Sequence, residues 1–332
     1  MKALVVGLGG IGRRHARNLR TLDPHLRLAA CRTQARASTD LGEDANLFER
    51  IDYDLAASIA WRPDLAIIAT PASTHVAIAL SLADAGVHLF IEKPISATLE
   101  GVERLVTACE RASLILMVGY NLRFDRPLAA LRAAALDGRI GTVSSVRAEV
   151  GQYLPDWRPD HDHRQTCSAR PELGGGVLRE LSHELDYLRW IAGDVRAVSA
   201  RVGHGGGLDV EAETIADVAL EFEDGIVGNV HMDMVDHAPV RRCRVVGRDG
   251  TLEWDGISGD ARIFARATGA WIRLDGATED NGAGTYVREM RHFLDRVADG
   301  EPPLVNGVEG LATLRVVLAA AESADTGRAV LL

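Results

Sequence analysis

Gly7-Leu8-Gly9-Gly10-Ile11-Gly12 has the composition and spacing of a phosphate-binding turn. The apolar run Ala3–Val6 lies directly before it, and a helix is expected to open at Ile11. In that setting Gly7 permits a tight turn, Gly9 lets the backbone approach a pyrophosphate, and Gly12 lets the helix pack closely on the strand. The amides and dipole of the helix N-terminus, from Gly10 and Ile11 onward, favour a negative charge. A glycine-rich turn also occurs without a ligand. The order strand–turn–helix is what points to a dinucleotide here.

About twenty residues beyond Gly12, dinucleotide sites for NAD usually carry an acid for the ribose hydroxyls. This chain has Cys31-Arg32-Thr33 there. A carboxylate repels a 2′-phosphate and a guanidinium pairs with one, so NADP is expected, with NAD as the alternative.

Two further motifs follow apolar runs: Ala69-Thr70-Pro71-Ala72-Ser73-Thr74-His75 after Leu65–Ala69, and Ile91-Glu92-Lys93-Pro94 after His88–Ile91. Both lie where open α/β sheets bind ligands, at the carboxyl ends of strands. Thr70, Pro71, His75, Glu92 and Lys93 are therefore expected around a cofactor. A lysine between a buried strand and a proline is also unlike a solvated surface charge. Later come Gly119-Tyr120-Asn121-Leu122-Arg123-Phe124, and Gly174-Gly175-Gly176 followed by Ser182-His183-Glu184-Leu185-Asp186.

In this order, over nearly the whole chain, the motifs resemble the glucose–fructose oxidoreductase / inositol dehydrogenase / MocA family. The resemblance implies a Rossmann domain, a nicotinamide cofactor and a sugar, polyol or sugar-acid substrate. It also implies that Lys93 lies beside the reacting hydroxyl, where it can stabilise developing negative charge. His183 resembles the catalytic histidine. Many members place an aspartate four residues before that histidine; Arg179 stands there here, and the nearest acid is Glu180. Tyr120 and Asn121, at the domain junction, are expected to position nicotinamide or substrate.

Helical spacing gives a separate argument for His183. Glu180, His183, Glu184 and Tyr187 recur at intervals of three and four, beside an apolar stripe of Val177, Leu181, Leu185 and Leu188. One helix over Gly176–Ala192 is expected to present a carboxylate–imidazole–phenol row along one edge. The plainer reading is a half-exposed polar face.

The stretch Gln152–Leu173 carries Tyr153, Trp157, Arg158, His161, His163, Arg164 and Arg170. Long irregular loops of this kind often hold substrate. The aromatic rings can stack on sugar faces and the arginines can pair with a carboxylate or phosphate. A surface or subunit-contact loop is the equal alternative. The stretch also looks like that of bacterial relatives associated with acidic sugars. His161-x-His163 lacks an evident carboxylate or cysteine partner, and no metal is expected.

These residues need a scaffold. The runs Ala3–Val6, Leu26–Cys31, Leu65–Ala69, His88–Ile91 and Leu114–Val118 are short and flanked by turn residues, and they read as buried parallel strands. Helical segments such as His75–Ala85 and Leu99–Ala112 alternate with them. The pattern predicts a doubly wound α/β sheet over residues 1–120. Beyond it, strand-like alternation appears at Val143–Val150, Thr214–Phe222, Ile226–Met234 and Arg241–Val246. Helical stretches occur at Gly176–Ala192, Tyr286–Ala298 and Val308–Ser323. An α+β domain with a large, mostly antiparallel sheet is expected over residues 121–332, with the C-terminal helix free to pack back on the first domain.

The 332 residues suit two domains, and 47% hydrophobic with 25% charged residues is a globular balance. A net charge of −10 argues against nucleic-acid binding. Cys31, Cys109, Cys167 and Cys243 show no paired spacing and read as reduced thiols. No run approaches bilayer length, and no leader pattern precedes the first strand, so a cytoplasmic protein is expected. The family resemblance implies a homo-oligomer, a dimer or tetramer.

The chemistry expected is hydride transfer at a carbinol carbon, with Lys93 and His183 meeting at the cleft between the domains. A redox-assisted glycosidase would need the same cofactor and base. A non-catalytic dinucleotide sensor would have no use for Lys93 and His183. Arg32 makes the cofactor expectation testable: Arg32→Asp should weaken NADP(H) binding and improve NAD(H) binding. Titrations in which the native protein ignores the 2′-phosphate would remove the argument.

Overall fold

The computed structural model describes residues 1–33, 41–274 and 283–332. Six short strands form its first sheet: β1 (Lys2–Val6), β2 (Arg27–Cys31), β3 (Arg50–Asp52), β4 (Leu65–Ile68), β5 (His88–Glu92) and β6 (Leu116–Gly119). Their order is β3-β2-β1-β4-β5-β6, and every pair is parallel. Such strands are covered on both faces, which is why Ala3, Leu4, Val5 and Leu65 to Ile68 are all buried. β3 did not stand out in the sequence pattern. It is three residues long, sits at the sheet edge and contains Arg50 and Asp52.

The helices between these strands are α1 (Gly10–Leu22), α2 (Leu55–Ala60), α3 (His75–Asp84) and α4 (Val102–Arg111). α1 turns Gly12, His15, Ala16 and Leu19 inward, the spacing of one helix face. α2 starts at Asp54, whose carboxylate accepts the Ala57 amide. The chain order reverses between β1 and β4, which places the glycine turn and the Thr70 loop on either side of the switch point.

The second sheet is mixed. After α5 (Arg126–Leu136) come β7 (Val143–Gly151), α6 (Val177–Glu180), α7 (His183–Ala192), β8 (Val195–Gly203), β9 (Ile215–Phe222), β10 (Val227–Asp233), β11 (Val240–Gly247), β12 (Gly250–Asp255), β13 (Asp260–Ala265) and β14 (Ala270–Arg273). The chain closes with α8 (Ala283–Asp299), α9 (Gly307–Thr326) and β15 (Val330–Leu331). The strand order is β14-β13-β12-β11-β7-β10-β9-β8-β15; only the central pair β7–β10 is parallel. One face buries Val146, Ala148, Val150, Val218, Leu220 and Val230 beneath α5 and α7. Alternate residues on the other face carry charge, where Arg244 and Arg262 converge on Glu253 at 2.7 and 2.9 Å.

The chain separates into two units, Met1–Tyr120 with Tyr286–Ala312, and Asn121–Thr285 with Thr313–Leu332. The expected second domain covered 121–332, with its C-terminal helix free to pack back on the first. Tyr286–Ala312 instead belongs with the first unit. There Phe293 meets Phe90 edge-on at 5.6 Å, Arg14 covers Tyr286, and the Val118 amide donates to Val305 O.

A buried charge cluster holds α7 in the second unit. The Arg123 guanidinium grips Asp186 through two bonds of 2.9 and 2.8 Å, with both side chains almost without solvent contact. The Thr313 hydroxyl donates to Asp186, while Arg189 donates to Thr313 and Asp194. Asp186→Ala would strand the Arg123 charge. The expected loss is about 3–5 kcal/mol of stability, read from denaturant midpoints, with most of it recovered in the double variant Arg123→Met/Asp186→Leu. A loss below about 1 kcal/mol would show that solvent reaches the pair.

Candidate active site

The glycines of the first turn divide into two kinds. Gly7 has φ of +94°, and a Cβ there would lie 2.5 Å from the Ala69 carbonyl oxygen. At Gly12 a Cβ would lie 1.9 Å from the Gly7 carbonyl oxygen. These two are required by the fold. Around Gly9 and Gly10 nothing comes within 4 Å of the Cβ position. No side chain caps the N-terminus of α1 and no acid stands in its first turn. An open glycine backbone at an uncapped, acid-free helix start fits a pyrophosphate, so Gly9, Gly10 and Ile11 can hold one.

Arg32 follows β2 and is more buried than a solvated charge, at 8% exposure, while its neighbour Thr33 is exposed. The Thr74 hydroxyl lies 2.8 Å from both the Pro71 carbonyl, to which it can donate, and the Thr70 hydroxyl, from which it can then accept.

Three expected cofactor or substrate contacts are turned inward, and these are corrections. His75 is 1% exposed; Nδ1 lies 3.0 Å from the Pro94 carbonyl and Nε2 2.9 Å from the Thr70 carbonyl. Burial pushes its pKa down, opposed by the two carbonyls and by Glu92. Glu92 places Oε1 2.5 Å from His15 Nε2, and its Oε2 accepts the Lys93 amide at 3.2 Å. Tyr120 has no exposed surface, so its ring meets no substrate in this structure. Lys93 itself stays half-buried just past the end of β5, on a cis Lys93–Pro94 peptide. Sequence reasoning passed over His15. Its one signal was the position three residues after Gly12, on the buried face of α1.

In the second unit, Asn121 is buried and donates its side-chain amide to the Thr285 hydroxyl at 2.7 Å. The glycine run Gly174–Gly176 is packed tightly. A Cβ at Gly175 would strike the Cys167 carbonyl, and one at Gly176 the Glu213 carboxylate. Glu213 caps the start of α6 through its backbone carbonyl and side chain. Burial raises its pKa, opposed by backbone amide hydrogen bonds to the carboxylate and by the nearby charges of Arg179 and His204.

The single helix expected over Gly176–Ala192 is broken at Leu181 and Ser182. His183 therefore opens α7, and Glu180 closes α6. The expected polar row does not form. Glu184 is fully buried in an ion pair with Arg241 at 2.9 Å, and Tyr187 is fully buried edge-on to Trp254. A polar stripe packed against a sheet is internal structure; it is not an edge open to ligand. His183 is 8% exposed and Glu180 half-buried.

The loop before this helix pair consists of short 3₁₀ turns, Leu154–Trp157, His163–Gln165, Cys167–Ala169 and Pro171–Leu173. Tyr153 packs against His237 with ring centroids 4.1 Å apart and planes tilted by 43°, and Trp157 is half-buried. Arg158, Arg164 and Arg170 are exposed. Arg164 is engaged by Asp162 through two 2.9 Å bonds, which hold the Asp162 carboxyl down at about 2. His163 lies 2.8 Å from the Leu208 carbonyl.

Comparison with known proteins defines the class. Residues 1–120 match the model described as "Oxidoreductase family, NAD-binding Rossmann fold", and residues 128–253 match the GFO/IDH/MocA C-terminal domain. The chain belongs to this family of NAD-binding oxidoreductases. Among its relatives are myo-inositol 2-dehydrogenase of Thermotoga maritima, 28% identical over 100% of this chain and 98% of the relative, and D-apiose dehydrogenase of Paraburkholderia graminis, 28% identical over 99% and 89%. Levoglucosan dehydrogenase, solved with NADH and levoglucosan, shares the fold with a TM-score of 0.88 at 20% identity, covering 100% of this chain and 99% of that one. Among the described residues no helix is long and apolar enough to cross a membrane.

The two kinds of glycine should separate on substitution. Gly9→Ala should fold normally and bind dinucleotide about tenfold or more weakly, since its methyl group occupies open space that a ligand needs. Gly12→Ala should lose stability itself. Equal calorimetric binding by Gly9→Ala and native protein would show that the turn does not carry the phosphates.

Proposed function

We propose that the protein transfers a hydride between NADP(H) and a carbinol carbon of a sugar, polyol or sugar-derived acid. The observation that carries this reading is the open backbone of Gly9 and Gly10 at the end of β1, with Lys93 half-buried past the end of β5 in the same sheet. A phosphate cradle and a lysine then share the ligand-binding end of one parallel sheet. The relatives named for inositol and apiose support a polyol or sugar substrate.

The nicotinamide, when bound, supplies the carbon that accepts or gives the hydride. The chain's own residues manage the proton. In oxidation the hydroxyl donates to neutral His183, while Lys93 donates an N–H to the same oxygen and stabilises its growing charge. The C–H electron pair leaves as hydride and a carbonyl remains. In reduction the same groups return the proton. Glu180, the nearest acid to His183 in sequence, is assigned to tuning that imidazole. Gly9, Gly10 and Ile11 would hold the pyrophosphate and Arg32 the 2′-phosphate. Tyr153, Trp157, Arg158 and Arg170 are the side chains assigned to the substrate. A cytoplasmic homo-oligomer completes the reading.

Lys93→Ala and His183→Ala should each lower kcat by about a hundredfold or more while both remain folded and bind NADP(H). Oxidation by the native protein should rise with pH as the imidazole loses its proton, and His183→Ala should lose that limb of the profile. Near-normal turnover in His183→Ala with an unchanged profile would assign the base elsewhere. Full activity in both variants would overturn the reading.

A further inference from the structure

Lysine side chains are long and flexible, so where an ammonium group lies depends first on how firmly its backbone is held. Lys93 is flanked by two residues, and each is tied to a buried imidazole of the first unit. On the N-terminal side, Glu92 is held by His15, which reaches it from α1 at 2.5 Å while fully buried against Phe90. The other oxygen of that carboxylate accepts the Lys93 amide. On the C-terminal side, the Pro94 carbonyl lies 3.0 Å from Nδ1 of His75, at the start of α3. The opposite nitrogen of His75 faces the carbonyl of Thr70 in the neighbouring site loop.

We infer that His15 and His75 are positioning residues for Lys93, clamping Glu92-Lys93-Pro94 from two helices so that the lysine is aimed before any ligand arrives. Neither histidine touches substrate or cofactor in this role. An ionised Glu92 only accepts, so His15 donates from Nε2. Carbonyl oxygens also only accept and a neutral imidazole has one N–H, so the clamp requires the His75 tautomer whose proton is on Nδ1, toward Pro94. Misplacing a catalytic group by about 1 Å can cost a hundredfold in rate, so the clamp acts on kcat and leaves dinucleotide affinity alone. The inference rests on the role proposed for Lys93.

The side-chain amides of glutamine and asparagine place a donor at the Nε2 and Nδ1 positions of histidine, respectively. His15→Gln and His75→Asn therefore keep the bonds to Glu92 and Pro94. His15→Asn and His75→Gln lose them at similar volume. The first pair should retain kcat within about threefold of native, and the second pair should lose about tenfold or more. Dinucleotide Kd should stay within about twofold throughout. Simple core packing would not distinguish asparagine from glutamine in opposite senses at the two positions, so equal kcat for the asparagine and glutamine variants at either position overturns the clamp. Should a bond-losing variant fail to fold, its bond-keeping partner decides: a tenfold loss in His15→Gln or His75→Asn also overturns it. Lys93→Met separates the two claims. Near-normal turnover there sinks the role of Lys93 itself, whereas an inactive Lys93→Met alongside four fully active histidine variants sinks the clamp alone.

Discussion

The first unit depends on one close approach, that of α1 to the end of β1, where Gly12 meets the Gly7 carbonyl with no room for a methyl group. That approach does more than shape a turn. It brings the uncapped start of α1 against the switch point of the sheet, where its amides face solvent beside Gly9 and Gly10. It also fixes the height of the helix over the sheet. His15, one turn further along, is thereby delivered to Glu92 at the end of β5. A bulkier residue at position 12 would lift the helix and disturb both consequences together. The phosphate cradle and the anchoring of the Glu-Lys-Pro segment are thus coupled through the same glycine.

The second unit solves a related problem by different means. α7 carries Glu184, Asp186, Tyr187 and Arg189 on buried surface, an expensive choice for a helix lying on an apolar sheet. Each charge has a partner: Asp186 has Arg123, Glu184 has Arg241, and Arg189 has Asp194. Such pairs add little net stability compared with a hydrocarbon core, but they are exacting about geometry. A helix sliding by one residue along the sheet would break the pairs to Arg123 and Arg241, whereas the local Arg189–Asp194 pair would move with it. His183 opens this helix, so its place inherits the register that the first two pairs impose.

Much of this was readable in the sequence, for physical reasons. Strands buried on both faces are continuous apolar runs, so the main strands of the first sheet were visible, while the polar edge strand β3 was not. The glycine turn was visible because its spacing follows from backbone geometry. The break at Leu181–Ser182 was invisible, since neither glycine nor proline marks it and the apolar stripe continues across. The partners of Glu92 and His75 lie 77 and 19 residues away, and no local pattern encodes a contact of that kind. Motif reading placed these two residues near a ligand because their neighbours in sequence are. It had no means of seeing that their polar atoms were already committed.

The same bookkeeping of committed groups narrows the loop that was expected to select the substrate. Its composition offered three arginines for an anion, yet Arg164 lies flat against Asp162 with both bonds made within two residues. Pairing of that kind is a local fold, cheap to form and tolerant of its surroundings, and it leaves a neutral surface where composition suggested a positive one. Arg158 and Arg170 flank it on exposed positions. Tyr153, packed at a tilt against His237, has a ring whose orientation is set in advance. In the proposed function, substrate choice falls to a pre-set aromatic ring and two arginines on irregular backbone, whereas the reacting hydroxyl falls to Lys93, just past β5, and His183, at the start of α7. Irregular loops can change without disturbing the sheet, so a family sharing this scaffold can vary its loops while the end of β5 and the start of α7 keep their places.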